Sequence, residues 1–287
     1  MKPFWSCSAH SEHGARPWPA RPLLNQAWTR FWEPAYYAAL VASGRLAARL
    51  KLNLVEAGSG GFSKRRRRWA PLAVGMANWY LRVTGAGFRM LTCQEWLAWE
   101  RAVHTQVLSR PVRVDGVTLH TPALPGTTLL EYLASSDSGP AKVEAITSAL
   151  AELRRLHHLQ VNGNWFTHGD AATHNVCYAD GQAFWLDFER RHRGRGLVWC
   201  RAQDLLAFVN SAATALKEDL GLLKRALVRG YPDPEVLQEL AGQARDWRSN
   251  PVDLQVIQAP WSYSLRSRLE ELLSDCSVNA SVAEPTS

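Results

Sequence analysis

The amino-acid sequence predicts an α+β fold, with a small antiparallel sheet in its first part and a largely helical second part. Three observations carry that prediction. Two extended runs flank the glycine-rich segment Gly58-Ser59-Gly60-Gly61. Farther on, Val143, Ile146, Leu150 and Leu153 recur at helical spacing, with Leu156 extending the same apolar face. The charge also changes sign along the chain: residues 1–120 hold 17 Lys and Arg against 6 Asp and Glu, and the remainder 16 against 20.

A chain of 287 residues, 46% of them hydrophobic, can bury a sizeable core as one large or two smaller domains. Every apolar stretch is broken by charges well short of the ~20 residues a membrane span requires. The N-terminus lacks the uninterrupted apolar core of a signal peptide, so a cytoplasmic location is the expectation. Cys7, Cys93, Cys177, Cys200 and Cys276 are scattered without a C-x-x-C pair, which argues against a disulfide framework and against a zinc site. The net charge of +7, concentrated in the first part, gives a basic face suited to nucleic acid, anionic lipid or a phosphorylated substrate.

Residues 1–50 read as an arm followed by a helical extension. Pro17, Pro19 and Pro22 keep the first 26 residues irregular. From Ala27 to about Lys51, aromatic and aliphatic residues interleave with Arg30, Arg45 and Arg49 in an amphipathic helical pattern. Packing against the first domain is its expected role, and peripheral contact with an anionic membrane at its inner face is the alternative. Leu52 to Glu56 predicts a strand, Gly58 to Gly61 a turn, and Phe62 to Trp69 a returning strand. Ala77 to Val83 reads as a third strand and Gln94 to Val107 as a helix. Gly116 to His120 gives a further strand, after which Thr127 or Thr128 caps a helix over Leu129 to Ala134. A polar break at residues 135–140 precedes the periodic helix, which ends in Arg154-Arg155-Leu156-His157-His158. Later helices start at Arg201 and reach about Leu273, ahead of a disordered tail over residues 276–287.

The stretch with the most chemistry is Thr167-His168-Gly169-Asp170-Ala171-Ala172-Thr173-His174-Asn175, followed twelve residues later by Asp187-Phe188-Glu189. Phosphoryl transfer asks for a carboxylate that holds the acceptor hydroxyl in line with the γ-phosphate, and for oxygen ligands that hold Mg²⁺ on the phosphates. Asp170, Asn175 and Asp187 supply those groups. Their spacing is that of a catalytic-loop Asp preceding a metal-binding Asn by five residues, with a second metal-binding Asp ending a nearby strand. Val176-Cys177-Tyr178 and Ala183-Phe184-Trp185-Leu186, joined through Ala179-Asp180-Gly181, predict a hairpin carrying Asn175 at one end and Asp187 at the other. Both potential metal ligands then share one edge.

On these residues the chain resembles the protein-kinase-like superfamily in its compact bacterial branch: aminoglycoside phosphotransferases, lipopolysaccharide-core sugar kinases and the small kinase of the KEOPS complex. The resemblance runs from about Leu52 to Leu273. It implies a bilobal protein-kinase-like fold, with a small antiparallel-sheet N-lobe over residues 51–120 and a largely helical C-lobe with the catalytic loop over residues 121–275. It implies ATP and Mg²⁺ as cofactors, Asp170 as base or orienter, and Asn175 and Asp187 as Mg²⁺ ligands. His168 and Asp204, the latter in an Arg-x-x-Asp-Leu context, would support the catalytic loop. Gly58, Gly60 and Gly61 would approach the phosphates, and Thr121, Ala123 and Leu124 would form the adenine-contacting hinge. In that family a third-strand lysine meets the phosphates and pairs with a helix glutamate. Here the third strand would carry Arg82, with Lys64 as the alternative; Glu95 is the expected glutamate and Glu100 the second candidate.

Only seventeen residues separate Asp187 from Asp204, without an Ala-Pro-Glu motif, so a long peptide-docking segment has little room. A sugar, glycolipid or other small hydroxyl acceptor is the expected substrate, with Arg190, Arg191, Arg193 and Arg195 available to its oxyanions. A small atypical Ser/Thr protein kinase or ATPase is one alternative, and a non-catalytic pseudokinase binding module another. In Lys64-Arg65-Arg66-Arg67-Arg68 the strand period sets Arg65 and Arg67 opposite the other three. No helix-turn-helix, zinc-finger or RNA-recognition signature accompanies that block, which argues against nucleic acid.

Overall fold

Residues 52–58, 60–83, 87–135, 138–216, 219–245, 268–269 and 271–276 are described by a computed structural model. They form a mixed α+β fold of small antiparallel sheets and several helices. The arm and helix expected over residues 1–50, and the tail beyond Cys276, lie outside the described residues.

The first part runs β1 (Asn53–Gly58), β2 (Gly61–Arg66), α1 (Ala70–Val83), β3 (Phe88–Met90), α2 (Cys93–Gln106), β4 (Arg113–Asp115) and β5 (Thr118–Pro122). Four of the strands make an antiparallel sheet in the order β1-β2-β5-β4. Gly61 stands opposite Pro122 of β5, and a Cβ at Gly61 would lie 2.1 Å from the Thr121 carbonyl oxygen, so the two strands close up only on glycine. On β2 the side chains alternate. Lys64 and Arg66 turn towards the interior while Arg65 points out, and beyond the strand end Arg67 and Arg68 are exposed.

Residues 77–83 are not the expected third strand; they form the second half of α1. A short apolar run does not by itself distinguish strand from helix. The wider spacing does: Ala70, Val74 and Leu81 are buried on one face, at offsets of four and seven. Pro71 sits in the first turn, where the missing N–H has no helical partner to lose. Asn78 fixes the helix on the next strand, donating through Nδ2 to the Met90 carbonyl at 2.9 Å and accepting from the Met90 N–H at 2.8 Å. Arg82 is consequently an exposed residue in the last turn of α1.

The second part opens with β6 (Thr127–Thr128) and α3 (Leu129–Ala134), the latter capped reciprocally by Thr128 and Glu131. α4 (Gly139–His157), β7 (Gln160–Val161) and β8 (Asn164–Trp165) lead to the loop that holds His168, and a 3₁₀ turn over Thr173–Asn175 ends that loop. β9 (Val176–Ala179) and β10 (Gln182–Trp185) form the expected hairpin. Its two turn residues have positive φ, 49° at Asp180 and 78° at Gly181, as a tight hairpin between twisted strands requires. Next come β11 (Arg190–His192), α5 (Leu197–Leu216), α6 (Leu220–Gly230) and α7 (Pro234–Arg245). β11 pairs with β3, so the chain just after Asp187-Phe188-Glu189 is tied to the first part.

A main core runs from α2 through the second part, and Leu81 of α1 with Phe88 and Met90 of β3 forms a small separate cluster. α4 packs on α6 and on β10, and α5 packs on α7. Trp96 of α2, Phe166, Trp185, Phe188 and Phe208 of α5 are all fully buried in the main core. Cys276 is also fully buried, at the end of helical residues 271–276, so it belongs to the core and not to the tail expected from that residue on.

Candidate functional site

The loop carrying His168 is shaped from behind by Asp204 of α5. Its Oδ2 accepts from the His168 N–H and its Oδ1 from the Gly169 N–H, each at 2.7 Å. His157 Nε2 lies 3.1 Å from Oδ2, and because a carboxylate only accepts, that nitrogen carries the proton; the Tyr231 hydroxyl meets Nδ1 at 2.7 Å. Burial pushes the Asp204 carboxyl up, but His192 and the His157 hydrogen bond outweigh it and hold the group at about 2. Gly169 has φ of 78°, and a Cβ there would lie 2.8 Å from the Arg190 carbonyl oxygen. The loop therefore passes β11 only with glycine at this position.

His168 fastens the loop to the hairpin. Its Nδ1 accepts from the Asp170 N–H at 3.3 Å, which leaves Nε2 to donate to the Leu186 carbonyl at 3.2 Å. Both roles need the neutral ring, and burial among Trp185 and Phe188 lowers its pKa accordingly.

Asn175 and Asp187 lie at the same end of the β9–β10 hairpin. Asn175 donates through Nδ2 to the Asp170 carbonyl at 2.8 Å, and its own carbonyl accepts from the Leu186 N–H at 3.0 Å. Asp187 follows directly, beside Asn175, in a left-handed conformation with φ of 67°. Such a conformation in a non-glycine residue persists only where its surroundings enforce it. Asp170 Oδ1 is buried without an aligned hydrogen bond; Arg190 Nη1 approaches it to 3.2 Å as an ion pair.

Opposite this edge stands Lys64. Its ammonium pairs directly with Asp187, lies 2.6 Å from Glu189 Oε1 and 3.8 Å from Glu100 Oε1, and sits 5.4 Å from the centre of the Trp96 ring. Burial alone would lower its pKa, but Asp187, Glu189 and Glu100 together raise it far above the ordinary lysine value. For Asp187 burial is likewise opposed, and overcome, by Lys64, which holds its carboxyl down. Glu189 moves the other way, because burial and the adjacent Asp187 both disfavour its charge. Glu189 also pairs with Asn53 Nδ2 and lies 3.8 Å from Arg66 Nη2.

The helix partner of Lys64 is Glu100, not the expected Glu95. Glu100 is 2% exposed; its Oε1 accepts from the Phe188 N–H and from Trp96 Nε1, both at 3.1 Å. α2 is thereby bound to the backbone beside Asp187. Glu95 is occupied at the helix start. It completes a capping box with Thr92 and receives two bonds from Arg89 at 2.9 and 3.0 Å. The Thr92-x-x-Glu95 spacing was the sequence signal for that role. Arg82, the expected cation, is displaced with the helix that carries it, and Lys64 takes the position facing Asp187.

The remaining candidates fall into two groups. Gly58, Gly60, Gly61 and Thr121 line a groove of about 650 Å³ together with Ser63 and His120. Strand alternation puts Ser63 and His120 on the sheet face opposite Lys64 and Leu119. Ala123 lies beside the glycine turn, its N–H donating to the Gly60 carbonyl at 3.4 Å, and Leu124 follows it. Among the arginines, Arg190 lies over Phe88, Arg191 is 4.2 Å from the Trp99 ring centre, and Arg195 lies over Trp199. Arg193 and Arg195 are exposed beyond β11. In the sequence Glu189 has no role of its own; its contact with Lys64 becomes visible only once β2 and the chain after β10 are brought together.

No family model matches the chain, and no curated protein matches it. Among the described residues there is no group of three or more His, Cys, Asp and Glu side chains that could hold a metal. Among them, too, no helix is long and apolar enough to cross a membrane.

Proposed function

We propose that the chain is an ATP-dependent phosphotransferase with a bilobal, protein-kinase-like fold, acting on a hydroxyl of a sugar, a glycolipid of the lipopolysaccharide-core type or another small molecule. The observation that carries this reading is Lys64, paired at once with Glu100 of α2 and with Asp187. In kinases a strand lysine paired to a helix glutamate, next to a metal-binding aspartate, must be in place for turnover.

In this reading Asp170 orients or deprotonates the acceptor hydroxyl, and Arg190, 3.2 Å from its Oδ1, holds the carboxylate in place. Lys64 exchanges a carboxylate for a phosphate oxygen when the nucleotide enters. Asn175 and Asp187 would hold Mg²⁺, and the donor set fits: the Asn175 amide nitrogen is committed to the Asp170 carbonyl, leaving its oxygen, and the Asp187 side chain is one-third exposed. Amide and carboxylate oxygens are the hard ligands that Mg²⁺ takes. When bound, that ion neutralises charge developing on the phosphates. Asp204 and His168 keep the loop in shape beneath the acceptor.

The segment from Asp187 to Asp204 contains β11 and the start of α5, which supports a small acceptor over a docked peptide. A non-catalytic binding module was suggested by the want of a third-strand lysine, and Lys64 supplies that ammonium from β2. Incubating the purified chain with ATP, Mg²⁺ and a panel of sugars and lipopolysaccharide-core acceptors tests the proposal. Acceptor-dependent ATP consumption that Asp170→Asn and Asp187→Ala both abolish is expected; full turnover in the Asp187→Ala protein counts against it.

A further inference from the structure

α1 is apolar on both of its sides. Its inner face holds Ala70, Val74 and Leu81, all buried. On its outer face Leu72, Met76 and Trp79 are 71%, 64% and 69% exposed. At helical pitch these three lie within about 60° of arc. Pro71 and Gly75 join them around a shallow groove of about 420 Å³. A helix hydrophobic all round is normally covered on all sides. An exposed run of large apolar side chains with polar borders marks an interaction surface.

The charge around the patch selects the occupant. Arg67 and Arg68 are exposed just before α1, Trp69 is partly exposed between them and the helix, and Arg82 is exposed in the last turn. No Asp or Glu occurs between Glu56 and Glu95. The covering surface must therefore be anionic as well as able to take up Leu, Met and Trp side chains. Residues 1–51 carry seven Lys and Arg against two Glu, so neither the chain's own N-terminal segment nor the same basic patch of a second copy complements the charge around α1. Nucleic acid offers phosphates but no apolar depth. A bilayer with anionic headgroups offers both, and basic residues bordering Trp and Leu are what the membrane interface accommodates.

We propose that the outer face of α1, with Arg67 and Arg68, is a docking surface for an anionic lipid bilayer, in which Leu72, Met76 and Trp79 enter the headgroup boundary. This holds independently of the phosphotransferase reading.

The test is co-sedimentation of the full chain with phosphatidylglycerol–phosphatidylcholine vesicles and with phosphatidylcholine vesicles, at low and high salt. Partitioning to the anionic vesicles is expected, weakened by salt. A triple variant, Leu72→Ser, Met76→Ser, Trp79→Ser, should lower the partition coefficient by about tenfold or more. Arg67→Gln with Arg68→Gln should lower it by about tenfold at low salt. Circular dichroism confirms the fold of each variant, and the single Trp79→Ser protein serves if the triple does not fold. Binding unchanged by the α1 variants overturns the proposal, because the vesicles are then held by another segment. It is equally overturned by absence of vesicle binding together with a dimer that the triple variant dissociates, or with an acidic protein captured through α1.

Discussion

Lys64 of β2 and Asp187 after β10 stand 123 residues apart in the sequence and meet in a direct ion pair. With Glu189 at 2.6 Å and Glu100 at 3.8 Å, the ammonium faces three carboxylates. Lys64→Met leaves those acids facing one another with their cation gone, at a cost of about 2–3 kcal/mol near neutral pH. Stability should partly return at about pH 5, where carboxylates raised by mutual repulsion take up protons. Added Mg²⁺ should stabilise the variant more than the parent protein. Urea unfolding with and without Mg²⁺ measures this, and an unchanged midpoint at neutral pH would contradict the role given to Lys64.

Asp204 accepts two loop N–H groups at 2.7 Å and sits among His157, His168 and His192. Asparagine offers one acceptor oxygen in place of two, so its amide N–H₂ faces a loop N–H or the His157 ring N–H that the carboxylate accepted. Asp204→Asn should cost about 3 kcal/mol. It should also lower kcat more than it raises KM, because the loop that positions Asp170 loosens. Chemical denaturation and steady-state kinetics on the same preparation check both parts.

Acid should weaken the fold in two stages. His168 and His192 are buried with pKa values lowered by that burial, so the folded protein keeps them neutral while the unfolded chain protonates them near 6.5. Their contribution is complete above about pH 6.5 and is lost as the pH falls below it. Asp204, held at about 2, contributes above the ordinary carboxylate value of 3.8 and loses that contribution between there and about pH 2. Urea midpoints from pH 8 to 3 should decline below about 6.5, the raised Glu189 carboxyl offsetting part of that loss as it takes up a proton, and again below about 4. A midpoint that stays level from pH 7 to 5 contradicts the first stage.

Glu95 and Glu100 should separate cleanly. Glu95→Ala removes the N3 half of the capping box and the Arg89 pair, and costs about 1 kcal/mol while leaving turnover in place. Glu100→Gln unsettles Lys64 and the Phe188 N–H, and should reduce kcat/KM by at least about tenfold. Equal losses in the two variants would return Glu95 to the site.

Much of the site was legible because its signals are local. The Asp180-Gly181 turn dictates the hairpin and therefore the neighbourhood of Asn175 and Asp187. The distance from Asp187 to Asp204 bounded the segment between them. Misreadings arose where short apolar runs admit two periods: residues 77–83 fit a strand in isolation, and only Ala70, Val74 and Leu81 taken together reveal the helix. Reading that segment as a strand placed Arg82 in the cleft and obscured Lys64, whose inward direction follows from β2 alternation. The pairing of β3 with β11, and the meeting of His157, His192 and Tyr231 around Asp204, depend on tertiary packing that no local spacing encodes.

The most direct test of a phosphoryl-transfer site is calorimetric titration of the full chain with ATP, with and without Mg²⁺, alongside Asp187→Ala. Mg²⁺-dependent ATP binding by the parent protein, lost in the variant, is the expected result. No binding of ATP with Mg²⁺ present, or equal binding by the Asp187→Ala protein, would contradict the phosphoryl-transfer reading.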